Sequence, residues 1–120
     1  MTRVMIVEDE PHIVESLAFL LRREGFEVEA LDDGEAAFAS LGASAPDVLV
    51  LDVMLPGLNG FELLRRLRGV PALAALPVLM LTAKGQRRDR ETAMASGADR
   101  FMTKPFSNAE LVAVVIELAR

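Results

Sequence analysis

The stretch DVLVLDVMLPGLNG, residues 47–60, decides the fold. Four apolar residues, Val48 to Leu51, stop on a carboxylate, Asp52, and a turn rich in Pro and Gly follows. A short apolar run bounded by turn residues reads as a strand covered on both faces, the pattern of a central strand in a parallel sheet. An aspartate at the end of one strand is an ordinary loop residue. Its meaning depends on what the other strands deliver to the same edge.

Four more strand-like segments share the pattern: RVMIV (3–7), EVEAL (27–31), PVLML (77–81) and DRFMT (99–103), beside DVLVL itself at 47–51. Helical patterns fill the gaps. The first carries Ile13, Leu17, Leu20 and Leu21 on one face, with Pro11 suited to its opening turn and Gly25 to its end. The second runs from Asp33 to Leu41, and the third carries Phe61, Leu64 and Leu67 and ends near Gly69. A weaker fourth spans 87–96 and stops at Gly97, with Ala93 and Met94 as its buried candidates. The fifth opens at Ser107 with Glu110 three residues on, a capping-box spacing, and carries Leu111, Val114, Val115 and Leu118.

Strict alternation of strand and helix predicts an α/β domain, with a parallel sheet and helices on both of its faces. Strands one, three and four are near-continuous apolar runs and belong in the centre. The second alternates Glu27 and Glu29 with Val28 and Ala30 and reads as an edge. Neither a repeat nor an internal linker interrupts the chain, so residues 1–120 are expected to form one domain.

Composition bounds the function. The chain has 120 residues, 52% of them hydrophobic and 26% charged, enough for one packed core and unlike a disordered segment. It has no cysteine, which excludes disulfides and thiolate metal sites. At its N-terminus only Val4 to Val7 are apolar before acids arrive, too few for a signal-peptide core. No apolar run approaches the roughly 18 residues of a membrane span, so no membrane association and a cytoplasmic location are expected. A net charge of −5 argues against nucleic-acid binding by this domain. The one dense basic patch, GQRRDR (85–90), reads as the solvated start of a helix.

In such sheets ligands bind beyond the carboxyl ends of the strands. Strand one ends in Glu8 and Asp9, strand three in Asp52, strand four in Thr82 and strand five in Lys104. Three carboxylates against one lysine leave a charge of about −2, and an all-oxygen donor set suits Mg²⁺ rather than Zn²⁺. Mg²⁺ tends to keep waters and to share its shell with phosphate oxygens, which leaves room for a phosphoryl group. Lys104 can hold a phosphate oxygen as a point charge, and the Thr82 hydroxyl can donate to another. Asp52, at the centre, is the candidate nucleophile, since carboxylates form acyl phosphates.

These residues, in this order, make the chain resemble the receiver domain of two-component response regulators over essentially its whole length. The matching features are the acidic pair Glu8-Asp9; Asp52, Pro56 and Gly60 in the pattern Asp-x-x-x-Pro-x-x-x-Gly; LTAK around Thr82; and FMTKPF with Lys104-Pro105. The resemblance implies a flavodoxin-like, doubly wound sheet of five strands in the order 2-1-3-4-5 with five helices. It implies that Asp52 accepts a phosphoryl group from a sensor histidine kinase or a phosphotransfer protein. The metal, Mg²⁺, would be held by Asp9, Asp52 and the main-chain carbonyl of Met54. Glu8 stands where many members carry Asp, and its longer arm is expected to reach the metal through water. Thr82 and Phe101 would form the switch pair, and a cis Lys104-Pro105 peptide would aim Lys104 at the site. The sparsely apolar fourth helix would be the mobile piece. The implied role is a signalling phosphoacceptor with at most slow self-phosphorylation and autodephosphorylation, acting on an effector domain or protein that these residues do not identify.

Two rival classes fit less well. A Mg²⁺-dependent phosphohydrolase with an aspartyl nucleophile, of the haloacid-dehalogenase kind, needs an acid two residues after the nucleophile, where this chain has Met54. A nucleotide or flavin binder needs a glycine- or hydroxyl-rich loop after strand one, where this chain has EDEPH. A receiver-like domain that is never phosphorylated is disfavoured, because no motif residue is missing. His12, the only histidine, reads as a surface residue on the first helical turn, and the methionines read as core filler. Winged-helix members typically form a symmetric dimer through an Asp pair and an arginine. Here those positions are Asp99-Arg100 and Val114, which departs from that pattern.

Overall fold

The computed structural model describes residues 2–82 and 87–120, with the backbone alone at Arg87. Ala83 and Lys84 of the LTAK motif, and Gly85 and Gln86 of the basic patch, lie outside the described residues. Five parallel strands form one sheet in the order β2-β1-β3-β4-β5. They are β1 (Arg3–Val7), β2 (Glu27–Leu31), β3 (Val48–Asp52), β4 (Val78–Thr82) and β5 (Arg100–Thr103). The connecting helices are α1 (Pro11–Arg23), α2 (Gly34–Ala43), α3 (Gly60–Arg68) and α4 (Arg87–Ala95), and α5 (Asn108–Leu118) follows β5. A short 3₁₀ turn over Pro71–Leu73, absent from the sequence expectation, links α3 to β4.

Side-chain alternation along the strands splits the core in two. Met5, Val7, Leu49, Leu51, Val78 and Met80 point to the side covered by α2, α3 and α4. Val4, Ile6, Val48, Val50, Leu79 and Leu81 point to the side covered by α1 and α5. Every residue of β3 and β4 is buried, whereas Glu27, Glu29 and Ala30 of β2 are exposed, so the expected edge strand is an edge. Each fully buried leucine or valine here contributes on the order of 1.5–3 kcal/mol.

The last three strands begin one residue later than the pattern predicts, and the reason is local. Asp47 turns its carboxylate onto the Arg3 amide at 2.7 Å, and Asp99 turns its own onto the Val78 amide at 2.8 Å. Pro77 has no amide proton to give. The shift brings Asp52 and Thr82 into their strands as the last residues, where both are buried.

The helix starts follow the sequence signals. Asp33, Asn59 and Ser107 cap α2, α3 and α5 by accepting from the amides of Ala36, Glu62 and Glu110. At the end of α4, Gly97 takes φ 106°, and its amide and that of Ala98 donate back to Met94 and Ala93. This pair of bonds closes the last turn, and the left-handed backbone explains the glycine. Met94 itself departs from expectation: Ala93 is buried but Met94 is 48% exposed. Ala93 faces the sheet, and its neighbour one position along the helix points about 100° away from it. Met54 is exposed as well, so only Met5, Met80 and Met102 fill the core among the described residues. None of the described helices is long and apolar enough to cross a membrane.

Candidate functional site

The carboxyl ends of β1, β3, β4 and β5 meet at one edge of the sheet, and the sequence places a polar side chain at each. The Glu8 amide donates to Leu31 of β2 at 3.0 Å, which holds the residue after β1 in line with its strand. The Lys104 amide donates to the Thr82 carbonyl at 2.8 Å, which does the same for the residue after β5. Glu8, Asp52 and Thr82 are each at most 2% exposed, and Asp9 is exposed at the rim. Glu8, Asp9 and Asp52 each offer a carboxylate oxygen within 4.8 Å of the others. Such a set can hold a hard divalent cation.

Lys104 is the counter-charge. Its ammonium lies 2.7 Å from Glu8 Oε1 and 3.3 Å from Asp52 Oδ1. The second Glu8 oxygen accepts from the Glu10 amide at 3.1 Å. Glu8 therefore has one oxygen on the lysine and one on its own loop. The sequence alone did not reveal that Lys104 sits nearer Glu8 than Asp52; the extra methylene of glutamate makes that reach possible. Asp52 Oδ2 is buried and has no hydrogen-bond partner among the described residues. Unsatisfied buried oxygens are rare in folded proteins, and this one belongs to a charged group.

The electrostatics follow from this geometry. Burial, then the charge of Glu8, pushes the Asp52 carboxyl up to about 6, and Lys104 offsets part of the rise. Burial by itself would lower the Lys104 ammonium. Its close contact with Glu8 and the charges of both carboxylates outweigh that, and its pKa lies above the ordinary value. The site is thus over-supplied with negative charge and short of donors. A divalent cation would correct both, so the residues present fit a magnesium site.

The loop after Asp52 explains its motif. The Gly60 amide donates to the Val53 carbonyl at 2.9 Å, and a β-carbon at Gly60 would run into the Asp52 carbonyl oxygen. Only glycine lets α3 begin so close to the end of β3. Met54 projects from this loop, 70% exposed. The Lys104-Pro105 peptide is cis, as the resemblance implied.

Thr82 and Phe101 lie on adjacent strands. By strand alternation both point to the α3–α4 side of the sheet, like Met80, which pairs with Phe101 in register. Among the described residues the Thr82 hydroxyl reaches only the Met102 carbonyl, at 3.4 Å, a long bond that is easily exchanged. The Phe101 ring is half-buried, and the Arg90 guanidinium of α4 sits over it at 4.7 Å. Sequence reading took Arg90 only as the end of the basic stretch 85–90. An arginine eleven residues before an aromatic gives no signal until the fold pairs helix with strand. His12 is exposed on the first turn of α1, as expected, and is not among the clustered acids. Val114 is buried in the core, and Arg100 pairs within the chain with Glu117 at 3.0 Å.

Comparison with known proteins accounts for the arrangement. The model of the response regulator receiver domain matches residues 4–116. The sensory transduction protein RegX3 of Mycobacterium tuberculosis is 42% identical over 120 residues, all of this chain and 52% of that protein. The phosphate regulon transcriptional regulatory protein PhoB of Rhizobium meliloti is 44% identical over 118 residues, 98% of this chain and 52% of that protein. The chain thus spans about half the length of these curated relatives. Among solved structures, the signal receiver domain of a signal transduction histidine kinase from Syntrophus aciditrophicus superposes with a TM-score of 0.92 at 34% identity, covering 99% of this chain and 90% of that one. The receiver domain of the sensor histidine kinase PA1611 from Pseudomonas aeruginosa, solved with a magnesium ion coordinated in its active-site cleft, gives 0.86 at 28% identity, covering 98% and 97%. In sequence, strand order and the placing of its acids alike, the chain belongs to the response regulator receiver domain family.

Proposed function

We propose that Asp52 is the phosphoacceptor of this receiver domain, taking its phosphoryl group from a phosphohistidine on a sensor kinase or phosphotransfer protein. The observation that carries this reading is the buried Asp52 Oδ2, which has no hydrogen-bond partner among the described residues while Oδ1 faces Lys104. Its lone pair attacks phosphorus, the phosphorus–nitrogen bond of the donor breaks, and the imidazole leaves with the bonding electrons. Lys104 neutralises a phosphoryl oxygen as the transfer proceeds, and Thr82 exchanges its long bond to Met102 for a shorter one to the product. Phe101 then fills the space that Thr82 vacates, which shifts the population of α4 and β5 conformations.

Asp9, Asp52 and the Met54 carbonyl would hold Mg²⁺, with Glu8 acting through water. When bound, the metal supplies positive charge to the carboxylates and to the transferring phosphoryl group. Glu8 suits a water-mediated role because both its oxygens already have protein neighbours. Residues 1–120 form one cytoplasmic receiver domain without nucleic-acid or membrane contacts of its own. Any self-phosphorylation or autodephosphorylation is slow, and the output is delivered to an effector domain or protein. The phosphohydrolase alternative is disfavoured by Met54, which exposes a thioether where that chemistry needs an acid.

Incubation with acetyl phosphate and Mg²⁺ should add one phosphoryl mass to the wild type and none to Asp52→Asn. Persistent labelling of the Asn variant would remove Asp52 from its role. Thr82→Ala should still be labelled, but should lose most of the beryllofluoride-induced NMR shifts around Phe101. A wild-type shift pattern in that variant would place the coupling elsewhere.

A further inference from the structure

Arg68, the last residue of α3, occupies a position that neither the site nor the motif explains. Its side chain is 19% exposed. Nη1 donates to the carbonyls of Leu73, Ala74 and Leu76 at 3.3, 3.2 and 2.7 Å, all in the connection leading into β4. Nε and Nη2 donate to the Gly97 carbonyl at 3.0 and 2.7 Å, and Nη2 also reaches Asp99 Oδ2 at 3.1 Å. That same Asp99 oxygen accepts from the Val78 amide at 2.8 Å, and the Asp99 amide donates to Val78 at 3.0 Å. A β-carbon at Gly97 would lie 3.1 Å from Arg68 Nε and 3.2 Å from its Cγ, so the turn is fitted closely around the arginine.

Three elements therefore leave from one guanidinium. The turn that ends α4 is held through the Gly97 carbonyl, and β4 and β5 begin beside it at Val78 and just after Asp99. At the opposite end of the same elements lie Thr82 and Lys104, with Phe101 between. Parallel β–α topology puts the start of α4 at the acidic edge and its finish at Arg68. We infer that Arg68 is a positioning residue for the switch: it anchors the far end of α4, β4 and β5, so that the response to a phosphorylated Asp52 is confined to the near end of α4 and to Phe101. The inference rests on the phosphoacceptor reading of Asp52. An arginine with planar, divergent donors suits this role, because it can hold carbonyls from two separate turns at once.

Amide hydrogen exchange read by NMR on the full chain, with and without beryllofluoride and Mg²⁺, tests it. In the wild type, beryllofluoride should change exchange at Arg88–Glu91 and Phe101 and leave Gly97, Ala98 and Asp99 as they were. In Arg68→Met, Gly97 and Ala98 should exchange about tenfold faster without ligand, and the beryllofluoride response should spread to Ser96–Asp99. Arg68→Lys, which keeps the charge and a few donors, should fall between the two, and Arg66→Met should match the wild type. A role in stability alone would lower protection everywhere without redrawing where the ligand response stops. Should Arg68→Met fail to fold, Asp99→Asn weakens the same knot and should show a smaller spread. A wild-type response that includes Gly97–Asp99, or a confined response in the folded variants of the knot, overturns the inference alone. No beryllofluoride response anywhere in the wild type overturns the phosphoacceptor reading, and the inference falls with it.

Discussion

Two cations are tucked against the ends of this sheet, and they are treated in opposite ways. Arg68 has acceptors for every arm of its guanidinium, five of its six bonds going to neutral carbonyls. Lys104 faces two buried carboxylates, and among the described residues Asp52 Oδ2 has neither a hydrogen bond nor an ion-pair partner. The first arrangement is saturated and can only lose from change. The second is under-satisfied, and a divalent cation would relieve it. One end of the sheet is therefore structural and the other is the end we propose to be reactive, although both are built from the same strands.

The largest effect on stability is expected at the saturated end. Arg68→Met leaves several carbonyls without a donor in partly buried turns, and each such group costs roughly 1–3 kcal/mol where water cannot replace the arginine. Water will reach some of them, so a total near 3 kcal/mol is expected. That is a fall of about 12 °C in melting temperature for a domain of this size. The loss should be nearly the same at pH 5 and pH 7, because five of the six bonds that Arg68 makes go to neutral carbonyls. A drop of only a degree or two would show that the turns hold without Arg68.

Lys104→Met leaves Glu8 and Asp52 facing each other. Breaking a buried pair costs about 3–5 kcal/mol when the remaining charge stays unpaired, and proton uptake by Asp52 should bring that down to about 2 kcal/mol at pH 7 without metal. Unlike the Arg68 loss, this cost should shrink when the pH is lowered, since protonation of Asp52 removes the repulsion. Urea melts of both variants at pH 5 and pH 7 would compare them directly. Equal pH dependence in the two would erase the distinction between the ends of the sheet.

How much of this contrast was legible in the sequence depends on what carries it. The reactive end was readable because each of its residues sits at a strand end, and strand ends are marked by apolar runs that stop. Asp52 after Leu51 and Thr82 after Leu81 announce themselves in that way. The saturated end was not readable, because Arg68 looks like any basic residue in the last turn of a helix. Its partners are mostly main-chain carbonyls, which carry no side-chain signature. Arg90 over Phe101 was hidden for a related reason: the contact depends on how α4 lies on β5, a tertiary fact. Met94 was misplaced because α4 has too few apolar residues to fix which face is buried.

A smaller effect, opposite in sign, is expected from Asp52→Asn. In the folded chain the Asp52 carboxyl is raised to about 6 from an unfolded value near 3.8. Between those values the native state binds more protons than the unfolded one, so this group makes stability fall as pH rises through that window. Above pH 6 the full penalty persists. Removing the charge should therefore stabilise the metal-free protein at pH 7 by about 1–2 kcal/mol and change little near pH 4. Mg²⁺ should reduce the difference, because a bound ion would stabilise the ionised wild type by roughly 2.7 kcal/mol at a hundred-fold excess over its dissociation constant. Melts in EDTA and in Mg²⁺ across pH 4–8 would show it. A wild type that is more stable than Asp52→Asn in EDTA at pH 7 would mean that Lys104 fully compensates the acids.

The smallest expected effect sharpens the comparison from the outside. Arg66 stands two residues before Arg68 on the same helix and also makes an ion pair, with Glu35 of α2 at 3.3 Å. Its side chain is 49% exposed and that of Glu35 is 60% exposed, so water already solvates both charges. Exposed pairs of this kind contribute about 0–1 kcal/mol, and salt screens them further. The Arg66 guanidinium also lies 6.0 Å from the Phe38 ring, at the outer limit of a useful cation–π contact. Arg66→Met keeps most of the aliphatic stem that covers Phe38 and removes only the charge. Its melting temperature should therefore lie within about 2 °C of the wild type, with the difference vanishing in high salt. A loss comparable to that of Arg68→Met would mean that the charge on α3 matters by itself, and that the saturated bonds of Arg68 are not what sets it apart.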